Sequence, residues 1–438
     1  MIELPDGTEI VAVCVPDNVG RLIGKRIPAQ RWAAILGGGL QMPNFHLVTG
    51  IENVPQEGFE VTGNHLGYPN GFLWPSVDTL RAVPWEPGTT IVISDVQDAS
   101  GRAVEQAPRT ILQRQIERLE GAGLTATFAS ELEFYLFRTS FAEARTRNAR
   151  LPEPSYHVHA DNDLLIAGYD EDFVSDVRRA MAAMEIAIDA TQGEGGEGQH
   201  EINLTRAGPL RMADSHVYYK HAVKAIAQRR GQAVTFMAKI SGDSSGSSGH
   251  VHLCLYDRDG KPAFGVDDLS PLGRSFLAGL LAYTPELTLL HAPYANSYRR
   301  LRPGSFAPSN ATWGWDNRSC MVRVVGRGEA CRFEFRVPGA DVNPYHSFSS
   351  ILAAGLEGVE HRLQPPDPVA GDAYAQAGAG ALPADLTQAL AAFSASDVAA
   401  RAFGPAVHRH LATLGRRERE AGLFAVTDWE LDRGLENA

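Results

Sequence analysis

Cysteine is scarce in this 438-residue chain. Its four thiols, Cys14, Cys254, Cys320 and Cys331, are scattered and include no C-x-x-C pair. They suit neither a disulfide framework nor a zinc site, and they point to a reducing compartment. A basic excess is missing too, since the formal net charge is −12. With no cationic stripe to neutralise phosphates, broad nucleic-acid binding is excluded. No apolar run is long enough to span a bilayer. The first residues, Met-Ile-Glu-Leu-Pro-Asp-Gly, show no basic segment leading into an apolar one. No signal peptide is therefore expected, and the expected location is the cytoplasm. The G-x-x-x-x-G-K-[ST] phosphate loop is absent, so any nucleotide must be held by another architecture. No internal repeat is evident.

Apolar residues make up 44% of the chain, which suits a folded protein, and the length allows two or three domains. Ile10–Val15 and Thr90–Ser94 read as strands, with the Gly- and Asn-rich stretch 63–71 between them as an ordered loop. The spacing of Ile111, Leu112, Ile116 and Leu119 predicts a helix over 108–121. Further helices are expected over 172–189 and 214–231, an irregular connection over 363–385, and a mostly helical end.

Acids and histidines recur at i and i+2 in three short extended segments. Glu131 and Glu133 lie in Ala129–Phe137, His250 and His252 in Ser248–Leu253, and Arg332, Glu334 and Arg336 in Arg332–Val337. In a strand these positions share a face, and Leu132, Phe134, Val251, Phe333 and Phe335 take the other. A row of acids on a half-buried strand is costly unless cations satisfy it. A second acidic set follows in Glu194–Asn203, where glycines let Glu194 and Glu201 converge and leave Glu197 to solvent. Five carboxylates and one imidazole (Glu131, Glu133, Glu194, Glu201, Glu334 and His250) suit two hard divalent ions such as magnesium or manganese better than zinc. Such a pair can clamp a transferring phosphoryl group. Arginines at 299, 300, 318, 323, 332 and 336 either bind carboxylates and phosphates or neutralise the acidic strands. The Ser- and Gly-rich run 241–249 reads as a spacer by composition, but it abuts the His250 strand and is better read as a loop bent over a ligand. His46, His291 and His408 read as packing or surface residues.

The ordered motifs E-x-E, E-x6-E with G-Q-x-E, G-S-S-x-H-x-H, N-S-Y-x-R-L-x-P-G, W-G-x-D-N-R and R-F-E-F-R-x-P resemble the glutamine synthetase superfamily over nearly the whole chain. The resemblance implies an α+β fold. A small N-terminal β-grasp domain would span 1–100, and a large catalytic domain on a curved antiparallel sheet flanked by helices would span 101–438. It implies homo-oligomeric rings, commonly dodecamers, with active sites between subunits. The implied reaction uses ATP and two or more Mg2+ or Mn2+ to join an amine to the γ-carboxylate of L-glutamate through γ-glutamyl phosphate. Glu133, Glu194 and Glu201 would hold one ion, and Glu131, His250 and Glu334 the other. Arg300, Arg336 and Gly246 would hold glutamate, and Arg318 the transferring phosphate. Arg323, Arg332 and His252 would lie at the nucleotide.

The departures from the family pattern concern the amine. Phe306 stands where ammonia-using members carry an acid in a flap, and Asn70 stands for the Asp that helps deprotonate ammonium across the subunit interface. Ser245 and Cys254 are milder replacements in the glutamate loop and on the nucleotide side. A Phe supplies neither charge nor hydrogen bond, so the pocket favours an apolar or aromatic organic amine over ammonium, with Phe72, Leu73 and Trp74 adding to it. The expected activity is a glutamate–amine ligase of the γ-glutamylamide branch. The alternatives are an ammonia-using glutamine synthetase, a catalytically silent member with a structural role, and a guanidino kinase with a related sheet.

Overall fold

The computed structural model describes residues 2–146, 151–265, 268–376, 378 and 380–437. Six strands come first: β1 (Ile10–Pro16), β2 (Leu22–Pro28), β3 (Leu40–Pro43), β4 (Asn70–Pro75), β5 (Arg81–Ala82) and β6 (Thr89–Gln97), with helix α1 (Trp32–Gly38) between β2 and β3. They form one sheet in the order β2-β1-β6-β4-β3, with β5 also on β6. The β1–β6 pair is parallel and central. Its two strands are β-branched and buried on both faces, as a run like Ile-Val-Ala-Val requires. Val11, Val13 and Val15 pack into a small core with Trp32, Ile35, Leu47 and Leu73, while Cys14 and Ile93 turn toward the larger core.

The second sheet comprises β7 (Thr125–Phe137), β8 (Ile188–Gly193), β9 (Gln199–Leu204), β10 (Ala233–Thr235), β11 (Gly249–Tyr256), β12 (Trp313–Trp315), β13 (Val322–Val325) and β14 (Arg332–Phe335). Its order is β12-β13-β14-β11-β7-β9-β8, with β10 also on β7. All pairs are antiparallel except β12–β13. The helices are α2 (Pro108–Gly121), α3 (Phe141–Thr146), α4 (Leu164–Ala167), α5 (Glu171–Ala183), α6 (Pro209–Arg229), α7 (Pro271–Leu287) and α8 (Pro344–Glu360). Four more close the chain: α9 (Leu386–Ser394), α10 (Asp397–Phe403), α11 (Pro405–Phe424) and α12 (Asp428–Gly434). One face of the long central strands is almost wholly apolar, with Ser130 the polar exception on β7, its hydroxyl bonded to His216 of α6 at 2.7 Å. Leu132, Phe134, Val251, Phe333 and Phe335 are each at most 1% exposed and pack into the helical layer. Phe128 meets Phe348 of α8 at 4.8 Å, and Phe333 stacks on Phe264 at 3.8 Å.

Two expected helices change extent. The 172–189 helix stops at Ala183, because Glu185 takes a left-handed backbone (φ +57°) and the Ile-Ala-Ile alternation that follows feeds β8. The 214–231 helix starts earlier, with Pro209 at its first turn, where a missing N–H costs nothing. The 63–71 stretch holds a short 3-10 turn over Asn64–Leu66, and Asn70 already opens β4. Leu73 cannot help line an amine pocket as expected, because strand alternation turns it inward to 0% exposure in the small core.

A buried cation ties the first sheet to the helical layer. Arg109, on the first turn of α2, donates to Asp95 on β6 at 2.5 Å and to both oxygens of Asp214 on α6 at 3.1 Å. Tyr345 of α8 donates to the same Asp214 at 2.6 Å. Truncating one partner of such a pair strands the other charge. We predict that Arg109→Met destabilises the fold by about 3 kcal/mol or more, and that adding Asp214→Asn recovers part of the loss. Denaturant midpoints of the single and double variants check this, and equal midpoints for wild type and Arg109→Met would refute it.

Candidate active site

Strand register assembles the site on the polar face of the second sheet. Glu131 faces His250 across β7–β11, and Glu133 faces Glu201 across β7–β9. Glu334 of β14 lies opposite both His252 and Arg323. Glu194 sits just after β8, brought in by the glycines that follow it. The result is two groups able to hold a metal ion, Glu133–Glu194–Glu201 and Glu131–His250–Glu334, each with donor atoms within 4.8 Å of one another.

The two groups differ in electrostatics. No Lys or Arg among the described residues pairs with Glu133, Glu194 or Glu201. Ser248 donates to Glu133 from its backbone N–H (2.9 Å) and its hydroxyl (2.5 Å), and Gln199 adds an amide at 2.9 Å. These bonds orient the carboxylate without neutralising the trio. Burial, then the charge of Glu194, pushes Glu133 up to about 7. Burial, then the charges of Glu131, Glu133 and Glu194, pushes Glu201 up to about 11. Burial also raises Glu194, and the charges of Glu131 and Asp161 act the same way. Three crowded carboxylates without a counter-cation form an oxygen-only donor set for a hard divalent ion.

The other group is neutralised from within. Burial works to raise Glu131, but hydrogen bonds from His250 and His252, both 2.9 Å, hold it well below the usual carboxylate range. Burial likewise opposes ionisation of Glu334, and the Arg336 charge overcomes it. Arg323 reaches Glu334 at 2.8 Å, and Arg336 forms a second ion pair with it. Burial, then Arg336, lowers His250 to about 4, so its imidazole is neutral, the form that ligates metals.

These groups floor a cavity of about 1300 Å³, large enough for a nucleotide beside a small acid. Its wall carries Arg300, Phe306, Arg318, Arg323, Arg336 and Gly246. Arg300 is buried, with its guanidinium on the backbone carbonyls of Val337 (2.9 Å) and Arg336 (3.2 Å). Burial lowers it to about 10, so it stays charged at neutral pH. A Cβ on Gly246 would come within 2.8 Å of the Arg300 side chain, so the Ser- and Gly-rich run is a close-packed wall and not a spacer. Phe306 is 73% exposed with φ +56°, and its carbonyl accepts from Arg336 at 3.1 Å.

Three expected residues lie off this cavity. His252 stands one bond behind it, on Glu131, and Arg332 stands behind His252 at 3.3 Å. Asn70 sits in the small sheet, opposite Pro43, and the chain does not bring it to the cavity. Gln199 and Ser248, which clamp Glu133, were legible only as parts of the G-Q-x-E and G-S-S-x-H motifs. Asp161 and Asn162, also on the wall, carried no sequence signal.

A mostly antiparallel sheet with two acidic ligand groups and an arginine wall defines an enzyme built for phosphoryl chemistry. The model of the glutamine synthetase catalytic domain matches residues 105–434. A γ-glutamylethanolamide synthetase, GlnA4, of Streptomyces coelicolor is 39% identical over 98% of this chain and 93% of its own. A glutamate–isopropylamine ligase of a Pseudomonas species is 36% identical over 91% of this chain and 88% of its own. The solved structure of a GmaS/ADP complex superposes with a TM-score of 0.86 at 27% identity, covering 98% of this chain and 97% of that one. The chain belongs to the glutamine synthetase family. Among the described residues, no helix is long and apolar enough to cross a membrane.

The pH dependence of metal binding follows from Glu133. In the metal-free fold its pKa is about 7, against an ordinary 4.5. A raised carboxyl contributes stability that is full below the unfolded value and is lost as pH rises through the folded one. A divalent ion replaces that proton. The rise in melting midpoint on adding Mg2+ or Mn2+ to stripped protein should therefore grow from about pH 5 to about pH 8. A pH-independent rise, or none, would remove this trio as an ion site.

Proposed function

We propose that this protein is an ATP-dependent ligase joining a small organic amine to the γ-carboxylate of L-glutamate through γ-glutamyl phosphate. The carrying observation is the pairing, in one cavity, of two acidic ligand groups with a wall of arginines. Both curated relatives named above act on glutamate and a small aliphatic amine by their names, which supports the reading. Two or more divalent ions, Mg2+ or Mn2+, would be held by Glu133–Glu194–Glu201 and Glu131–His250–Glu334. When bound they supply charge neutralisation for the transferring phosphoryl group.

The protein's own side chains do the rest. Arg300 and Arg336 grip the glutamate carboxylates, with Gly246 leaving room for the chain, and Arg318 steadies the phosphate that passes to the γ-carboxylate. Arg323 meets the nucleotide from the wall, and His252 and Arg332 support that side from behind Glu131. An amine that arrives protonated first gives one proton to water; its nitrogen then attacks the acyl carbon, phosphate leaves, and a second proton is lost from nitrogen. Phe306 on the flap and Asn70, supplied by a second copy, provide no anion for ammonium. An apolar flap instead covers the organic part of a larger amine.

A homo-oligomeric ring, with sites shared between copies, is part of this reading, as is division into domains of residues 1–100 and 101–438 in the cytoplasm. The C-terminal segment supports assembly. Leu423, Phe424, Val426, Trp429 and Leu435 are each 64–85% exposed, a patch that a monomer would not leave to water.

The test is phosphate release with ATP, Mg2+ and glutamate against ammonium, ethanolamine, isopropylamine, putrescine and aniline. Turnover with an organic amine and little with ammonium is expected. Turnover with ammonium alone would make the chain an ammonia-using glutamine synthetase. Phe306→Glu should move the kcat/KM ratio toward ammonium by about tenfold, the worth of one charge-assisted hydrogen bond. An unchanged amine profile would mean that the flap does not set specificity.

A further inference from the structure

The cavity wall holds carboxylates beyond the six ligand residues: Asp161 and Asp243. The charge of Asp243 acts on nearby Lys239. Asp161 has no ion pair among the described residues, and its one side-chain hydrogen bond is a long contact from Asn162 at 3.4 Å. It is an exposed acid on the wall of a cavity, beside a trio that already carries too much negative charge. Its charge raises the Glu194 carboxyl further, behind burial and Glu131.

The fold fixes Asp161 there. The segment from Ser155 to Asp170 is locked to the acidic floor by a buried network: Ser155 donates to Asp170 at 2.5 Å, and His200 meets the same carboxylate at 2.8 Å. Tyr156 donates to the Gln199 carbonyl at 2.8 Å. Farther along, the N–H of Asp161 donates to the Glu194 carbonyl at 3.0 Å, and that of Asn162 to the Gly193 carbonyl at 2.9 Å. The contact is so close that a Cβ on Gly193 would lie 2.5 Å from the Ala160 side chain. Asp161 and Asn162 both take left-handed backbones, φ +31° and +68°, a turn that Asp and Asn tolerate best. The carboxylate is therefore built into the ligand loop and does not wander on a surface arm.

An anion held against other anions is useful where a cation must arrive. An alkylamine, like a lysine side chain, is a cation at neutral pH, whereas an arylamine is not. We infer that Asp161 is the specificity-determining anion that receives the incoming alkylammonium, and that together with the apolar flap it selects short aliphatic primary amines over aromatic ones. The inference rests on the glutamate–amine ligase reading above. It places the missing anion of the amine site on the same chain as the acidic floor.

The test compares two nucleophiles in the full-length protein with ATP, Mg2+ and glutamate at near-neutral pH: propylamine, which is charged, and hydroxylamine, which is neutral. In Asp161→Asn, an isosteric change, the kcat/KM ratio of propylamine to hydroxylamine should fall about tenfold through the propylamine KM, with the KM of glutamate and ATP within about twofold of wild type. Asp161→Glu should recover most of the ratio. An unchanged ratio, or a parallel loss for both nucleophiles with a raised glutamate KM, would overturn the assignment in favour of a structural turn. A wild-type protein that forms no γ-glutamyl product with any amine would instead overturn the ligase reading, and this assignment with it.

Discussion

The structure is organised around charge that β7 cannot satisfy alone. Glu131 and Glu133 stand two residues apart on one buried strand, and each must find compensation in a different direction. On the β11–β14 side the protein supplies it to Glu131 from His250 and His252, and to the neighbouring Glu334 from Arg323 and Arg336. On the β9 side it supplies more carboxylates. The first neighbourhood is closed by its own cations, and the second pairs with no Lys or Arg among the described residues. Much else follows. The opposite face of the strands is apolar apart from Ser130, and its packing holds such a floor in place. The arginines must cluster on β13, β14 and the flap. The loop over the floor must be glycine-rich to come close enough.

Tight backbone approach is the second theme. Gly193, Gly246 and Gly249 each sit where a Cβ would meet a neighbouring atom at 2.8 Å or less. At these points, one on the cavity wall at Gly246 and two just behind it, the packing is backbone against backbone or side-chain stem. Dipoles and side-chain positions are thereby set by the main chain, and little reorganisation is left for the moment of reaction.

The floor was legible in the sequence because its rule is local. An i, i+2 repeat of acids flanked by Leu and Phe fixes which side chains share a face, and the three such segments turned out to be neighbours in one sheet. The helix over 108–121 was equally plain, with a clear period and Pro108 at its start. What escaped was non-local. Asp161-Asn162-Asp163 suits a turn, but nothing in it announces that the turn is pressed against a strand edge more than thirty residues away. The α5 end was misread because helical and strand patterns run together through Met184–Ile188, and the break rests on one left-handed Glu185. Leu73 and Asn70 lie in a strand whose alternation and pairing, set by β3 and β6, decide where they point.

Arg336 has a consequence for how the flap and the floor communicate. Its guanidinium bonds at once to Glu334 and to the carbonyl of Phe306, a residue held in a left-handed conformation that L side chains resist. One cation thus serves as a hinge pin between a ligand of the floor and the most exposed aromatic of the rim. A group that competes for Glu334 therefore competes for the same guanidinium that holds the backbone of the rim. The floor and the rim are thereby joined through one side chain and not through the sheet alone.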